Sequence, residues 1–370
     1  MNRYSTVGEK KNVQMIPGKI AVITEAASLN EEVFHSPDLL LKKYGAEKVI
    51  HVTWPDNFMA EQNHMADALA ALSAEKDIKA LIINQALPGT NAAVDMFRKR
   101  RRDVFIVYCM VHEPSPDSYG RANLLLGLDE VGMGQAMVKQ AKKQGAKVFV
   151  HYSFPRHMAI KRVYNRWNVI RKVCSAEGIL FVNATAPDSA SETGLKAVKQ
   201  FIYNNVPKLV AEYGEDTAFY GTNCAMQVPL IKAVMDCHAI YTQPCCPSPF
   251  HGFPQALGIK ADRNTAGLNT VINEACRIAE ERNMSDRLST WPVSVPQMFT
   301  NAGAEYAIKW MNGLVAKDSI DSNVLETCID AYIKGVVGEG VEVTMTTCLD
   351  PENGAAYDNY KLLLMSYLDF

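Results

Sequence analysis

Lys19-Ile-Ala-Val-Ile-Thr24 is a short apolar run that ends on polar residues, and its pattern recurs down the chain. Val49-Ile-His-Val-Thr53, Ala80-Leu-Ile-Ile-Asn84 and Val104-Phe-Ile-Val-Tyr-Cys109 repeat it. Between these runs lie stretches with helical spacing: one reaching Tyr44 and stopped by Gly45, one from Met59 to Ala74, and one from Asn91 to Arg102. Apolar runs of this length, bounded by turns, suit strands covered on both faces by helices.

The pattern restarts after Asn123-Leu-Leu-Leu-Gly127. A helix from Val131 to Gln144 leads to Lys147-Val-Phe-Val-His-Tyr152, and a helix near His157 to Ala176 leads to Ile179-Leu-Phe-Val-Asn183. Along that second helix Ile160, Val163, Tyr164, Trp167, Ile170 and Cys174 form an apolar stripe, with Lys161, Arg162, Arg166 and Lys172 off it. A helix from Ser189 to Tyr213 and a shorter one lead to Thr217-Ala-Phe-Tyr220 and Ala239-Ile-Tyr241. Each strand–helix–strand step implies a right-handed parallel crossover. Two consecutive sets imply two doubly wound, mainly parallel, Rossmann-like α/β lobes. Residues 1–127, with roughly 249–320, are expected to form one lobe, and 128–248, with roughly 321–370, the other. In the last third Pro244 to Pro254 reads as a loop. Helices are expected near Asn264 to Glu281, Ala302 to Leu314 and Asn323 to Lys334, and a strand at Val341 to Thr346.

Composition narrows the function. The chain has 370 residues, 48% hydrophobic and 21% charged, enough apolar material for two cores. A net charge of -2 points to neither nucleic acid nor a membrane surface. No stretch approaches the roughly 18–20 apolar residues of a membrane span. The nine cysteines show no CxxC spacing, so they read as reduced thiols, with no zinc motif and no expected metal or cofactor. Met1 to Gly18 is polar and carries no signal-peptide pattern, so a cytoplasmic location is expected, or a periplasmic or cell-surface one if a signal peptide was removed.

Open parallel sheets bind ligands beyond the carboxyl ends of their strands. The residues there are Thr24-Glu25, Asn84-Gln85 and His112-Glu113 in the first half. In the second half they are Tyr152-Ser153-Phe154 with Arg156, Pro187-Asp188, Thr222-Asn223 and Thr242-Gln243. As a set they can hydrogen-bond and stack on a small solute, although strand ends are also polar simply because loops are. Trp54 and Trp291 are further aromatics for stacking on a sugar or nucleobase, and Arg156 suits a carboxylate.

Other motifs read as structural. Gly132-Met-Gly134 opens a helix, but Met137 stands where a dinucleotide loop needs glycine, and Asp129-Glu130 would repel phosphate. His112, Glu113 and His151 are the acid/base residues an enzyme would use, without a liganding pair at helical spacing. Cys245-Cys246 could be redox-active, though a loop role without chemistry is favoured. Arg98-Lys-Arg-Arg-Arg102 lies at a helix C-terminus, where cations complement the macrodipole.

Asp129, Gly132, Ala136 and Met137, followed by Gly145-Ala-Lys-Val-Phe-Val150, resemble the middle of type I periplasmic binding proteins and of LacI-type repressor ligand domains. Ile82-Ile83-Asn84, followed by a helix and a second apolar strand, fits as well. The resemblance spans roughly residues 19 to 245 and points to an uncharacterised bacterial family of solute-binding proteins or regulators within that superfamily. It implies two lobes joined by a hinge of about three crossovers, and an inter-lobe cleft that closes on a small polar ligand such as a sugar, nucleoside or amino acid. It also implies a transporter or signalling partner and no catalysis. Thr24, Glu25, Gln85, His112 and Glu113 would then face the cleft from one lobe, and Tyr152, Phe154, Arg156 and Asn223 from the other. Only Met1 to Gly18 precede the first strand, so a repressor's helix-turn-helix and direct DNA binding are not expected. A metabolic enzyme on this scaffold and a regulator without its own helix-turn-helix are the alternatives.

Overall fold

The computed structural model describes residues 15–57, 61–112, 115–350 and 352–370. Five parallel strands build the first sheet: β1 (Lys19–Thr24), β2 (Val49–Thr53), β3 (Ile78–Asn84), β4 (Phe105–Cys109) and β5 (Leu124–Leu128). Four more make the second: β6 (Val148–Ser153), β7 (Leu180–Thr185), β8 (Thr217–Gly221) and β9 (Ile240–Tyr241), in the order β7-β6-β8-β9. The central strands β4, β6 and β8 are buried along their whole length, as strands sandwiched between helix layers must be. Edge strand β7 is partly open, with Leu180 52% exposed.

The last third returns to both sheets. β10 (Ser289–Thr290) pairs with β13 (Leu368–Asp369), and Leu288 bridges to Tyr241 beside the second sheet. β11 (Val343–Leu349) and β12 (Ala356–Met365) form an antiparallel pair, and β12 runs parallel to β5. The first sheet therefore has seven strands, ordered β11-β12-β5-β4-β3-β1-β2. This corrects the assignment of residues 321–370 to the second lobe. The backbone groups of β12 hydrogen-bond to β5 in the first sheet, and only the final strand joins the second.

The chain passes between the sheets three times: after β5, between β10 and the helix Val295–Met311, and between β12 and β13. That helix starts earlier than the sequence reading placed it. Ser294 caps it, with its side chain accepting from the Gln297 amide, and Pro296 falls in the first turn, where its missing N–H costs nothing. It packs on β3 and β4, and Gly303 lets it approach, since a Cβ there would meet Val107 at 2.9 Å. Residues of both lobes, including Trp291, Val293, Phe149 and Leu126, belong to one continuous apolar cluster.

Helix Gly132–Lys143 crosses helix Lys161–Glu177 at Gly134, where a Cβ would meet the Arg166 carbonyl oxygen at 3.0 Å. The Gly132-Met-Gly134 motif thus serves a helix start and a helix crossing; the Gly132 amide donates to Asp129 Oδ1 at 2.8 Å. The basic run is likewise structural in part. Arg98 donates to the Val104 carbonyl and to Asn123, and buried Arg101 donates to the carbonyls of Glu75 and Ile78.

Candidate functional site

Where the carboxyl ends of β4 and β5 face the helix Lys161–Glu177 of the other lobe, a cavity of about 480 Å³ opens. Its polar lining includes His112, Asp129, Glu130, Lys161, Arg162 and Asn165. Leu349 and Tyr360 of the β11–β12 pair complete its rim. Glu130 accepts from two arginines of the facing helix, Arg162 Nε at 3.0 Å and Arg166 Nη1 at 3.3 Å. Burial, and then the charge of Arg162, lower the pKa of His112, which keeps its ring neutral.

Arg166 is 3% exposed, although the helical stripe placed it on the solvent side. Its guanidinium lies over the Tyr220 ring at 5.6 Å. Tyr220 in turn sits 5.8 Å from the ring of His151. Buried atoms without a hydrogen-bond partner collect here: Arg166 Nε, Tyr220 Oη and His151 Nε2. Native structures rarely leave such groups unpaired, so this layer is where water or a ligand atom belongs. Burial and the Arg166 charge push the His151 pKa down to about 3, so the imidazole is neutral and packed inside rather than poised as a cleft base.

A second group lies where β8 and β9 end. Asn223 caps the helix Cys224–Asp236 through its side-chain oxygen. Cys224 Sγ is 3.6 Å from Cys245 Sγ, which is 3.6 Å from His251 Nε2 and 4.0 Å from Cys246 Sγ. All nine cysteines are free thiols; Cys224 and Cys246 are exposed and Cys245 is buried. Hydrogen bonds from Cys245 and Cys246 hold the Cys224 thiol well below its ordinary pKa, and the corresponding bond to Cys224 raises that of Cys245. Glu25 of the first lobe is within electrostatic range of Cys224, and His112 of Cys246, so these thiols face the first lobe. Ser248, from the same loop, donates to Glu32 of the first lobe at 2.6 Å.

The structure sorts the sequence candidates. Of these, His112 alone among the described residues lines the cavity of about 480 Å³. Glu25 accepts from Asn30, and burial raises its carboxyl pKa. Thr24 is buried and its hydroxyl is engaged with His51 at 2.8 Å and the Glu25 carbonyl. Gln85 is half-buried, its backbone oxygen accepting the Trp54 indole N–H. Glu113 lies outside the described residues.

Tyr152 and Phe154 are corrected. Tyr152 in β6 and Phe154 just after it are both buried in the second lobe's own core. The Tyr152 hydroxyl donates to Asn205 at 2.8 Å, and Phe154 is stacked against His157 at 4.4 Å. Arg156 is exposed and paired with Asp188 at 2.7 Å, which lowers the Asp188 carboxyl to about 2. Trp54 and Trp291 are buried, so neither is free to stack on a solute.

Reasoning from the sequence missed Glu130, Arg162 and Arg166 as site residues, and the thiol cluster as a unit. Spacing could have found Arg166, which lies three residues after Val163 and four before Ile170, both buried. Cys224 and Cys245 are joined only by the fold.

A protein family described as "Protein of unknown function (DUF3798)" matches residues 19–289, which hold β1 to β9. The chain belongs to this family. An "Uncharacterized protein" of Treponema pallidum (strain Nichols) is 32% identical over 167 residues, 45% of this chain and 77% of that protein. A second from the same organism is 31% identical over 142 residues, of which the match spans 64% of its length.

Among solved structures, a Clostridium difficile 630 protein described as a "Putative transcriptional regulator" superposes with TM-score 0.83 at 22% identity, over 96% of this chain and all of that one. A solute-binding protein of an ABC transporter from Bradyrhizobium sp. BTAi1, with bound bis-tris, gives TM-score 0.54 at 13% identity, covering 85% of this chain and 86% of that one. A periplasmic solute-binding protein from Actinobacillus succinogenes 130z, with bound D-allose, gives 0.52 at 11% identity, covering 84% and 99%. This chain thus has the two-lobed α/β fold of these solute-binding proteins, in line with the fold the sequence resemblance implied. Both of these neighbours are described as solute-binding proteins. Among the described residues no helix is long and apolar enough to cross a membrane.

Proposed function

We propose that this DUF3798 chain binds a small polar solute between its lobes and acts as a solute-binding or sensor protein without catalysing a reaction. The observation that carries this reading is the cavity lined from both lobes, with His112 on one side, Arg162 and Asn165 on the other, and Asp129 and Glu130 on the segment that crosses between them. Such a lining favours a ligand with several hydroxyl or amine groups, because each charged or amide group can take a short, directed hydrogen bond. The sugar and polyol-amine bound by its structural neighbours have that chemistry.

Ligand stabilises the closed arrangement only by touching both lobes at once, which a solute between His112 and Arg162 does. The closed surface then signals to a partner or delivers the solute to a transporter. The three chain passages are the hinge, and the apolar cluster around Trp291 and Val293 is the pivot.

The test is a thermal-shift screen in chelator-treated buffer against sugars, polyols, nucleosides, amino acids and polyamines. A solute at about 100 times its dissociation constant stabilises by about 2.7 kcal/mol, a visible rise in Tm. The reading expects one chemical class to raise Tm, and Arg162→Ala to abolish that rise while leaving the ligand-free Tm within about 1–2 °C. No hit in any class, or a hit that Arg162→Ala leaves intact, overturns it.

A further inference from the structure

We infer that Cys224, Cys245 and His251, completed by Cys246, form a site for a zinc-class divalent cation on the cleft-facing edge of the second lobe. The geometry is that of a tetrahedral thiolate–imidazole set. Ligand distances of about 2.3 Å for sulfur and about 2.0–2.1 Å for nitrogen place two sulfurs on zinc about 3.8 Å apart, and a sulfur and a nitrogen about 3.6 Å apart. Here Cys224 Sγ and Cys245 Sγ are 3.6 Å apart, and Cys245 Sγ and His251 Nε2 are 3.6 Å apart. The three donor atoms all lie within 4.8 Å of one another. The side chains thus already converge on a common centre.

Cys246 supplies the fourth donor. Its Sγ is 4.0 Å from Cys245 Sγ, and it interacts with Cys224 as well. Cys246 is exposed, so its sulfur is the thiol of this loop with room to move toward the fourth corner. Three thiolates and an imidazole select zinc-class ions over magnesium or calcium, which take oxygen donors.

The scaffold is built to hold the donors. Cys224 opens a 13-residue helix whose cap, Asn223, is satisfied by the Ala225 amide. The loop carrying Cys245 to His251 is tied down at Ser248, which donates to Glu32, and at Phe250, whose carbonyl accepts from Arg263. Both anchors reach across to the first lobe or to the chain returning to it, so filling the site would stiffen the mouth of the cleft. Glu25, in electrostatic range of Cys224, supplies a carboxylate that a bound cation stabilises and bare thiolates repel.

This inference stands on the side-chain geometry and does not need the solute reading; the solute screen is run without added metal and the metal titration without solute. The experiment uses the full chain, reduced, stripped with chelator and titrated with Co²⁺ and then Zn²⁺. The expected result is one cobalt per chain, with intense thiolate-to-cobalt charge-transfer absorption and the strong visible bands of a tetrahedral ion, both erased by zinc. Zinc should also protect these thiols from alkylation, read by peptide mass spectrometry on the unmutated chain. Cys245→Ser and His251→Ala should each weaken zinc binding by more than the roughly 10- to 100-fold that loss of an outer-shell partner costs. Cobalt bound without charge-transfer bands, or zinc that leaves Cys224 and Cys245 as reactive as in the stripped chain, overturns the inference. So does a Cys224–Cys245 disulfide that, once reduced, leaves a chain taking up no metal.

Discussion

The two lobes meet the cleft with the same kind of strand end but very different chemistry. In the first lobe the polar residues there are more engaged with one another, although the buried Asn84 Oδ1 has no hydrogen-bond partner among the described residues. Thr24 holds His51, and Asn84 donates to the Pro296 carbonyl and to Thr300, each at 2.8 Å. In the second lobe the strand ends carry converging thiols, and beneath them lie Arg166, Tyr220 and His151 with unpaired buried atoms. A polar residue at the end of a strand is thus weak evidence for a site. A buried polar group left without a partner is stronger evidence, because leaving it unpaired costs about 1–3 kcal/mol.

The largest contrast to test is between the sheets. Ile106, fully buried in β4, should cost about 3 kcal/mol or more when changed to Ala, read by urea unfolding. Leu180→Ala, on the open edge strand β7, should stay within about 0.5 kcal/mol. Equal effects would mean that the second sheet's edge is covered in solution and that the comparison fails.

The next test concerns the charge layer. Glu130→Ala leaves the buried Arg166 guanidinium without its carboxylate. Complete removal of a partner from a buried pair costs about 3–5 kcal/mol, and the partial exposure of Glu130 reduces this to about 2 kcal/mol. Adding Arg166→Met should recover most of that loss. If the double variant is as unstable as the sum of the singles, the pair does not act as a unit.

His151 gives a pH signature of comparable size. Its folded pKa, about 3, lies below the ordinary histidine value of 6.5. The unfolded chain therefore binds a proton that the folded chain refuses, and stability falls as pH drops from about 6.5 toward 3. Between pH 6.5 and 5 this amounts to about 1.6 kcal/mol, the slope rising from half of about 1.36 kcal/mol per pH unit at pH 6.5 toward the full value below it. His151→Gln should flatten that part of the stability–pH curve, measured by chemical denaturation. An unchanged slope would show that His151 is accessible to protons in the folded state. At the smallest end, Arg156→Ala should move neither Tm nor solute affinity, since its exposed guanidinium is paired with Asp188.

Much of the fold was legible because parallel strands buried on both faces announce themselves as unbroken apolar runs; β1 to β9 all lie on or beside such runs. β12 was not, because Tyr357-Asp-Asn-Tyr-Lys361 breaks the run, and its pairing with β5 is a long-range choice. The site was less legible. Tyr152 and His151 are neighbours in β6 with side chains on opposite faces, and only packing shows that the tyrosine side is filled by the helix carrying Asn205. Glu130 and Arg162 look like surface charges until the packing of helix Gly132–Lys143 on helix Lys161–Glu177 brings them to 3.0 Å. Cys224 gains meaning only beside Cys245 and His251, which arrive from the next loop.

Hydrogen-exchange mass spectrometry with and without the solute found by thermal shift tests the central claim most directly. The account predicts slowed exchange in segments from both sides of the cleft, 110–112 and 129–131 on one side and 160–166 and 222–226 on the other. Protection confined to one side, or exchange unchanged by a solute that raises Tm, would contradict binding between the lobes.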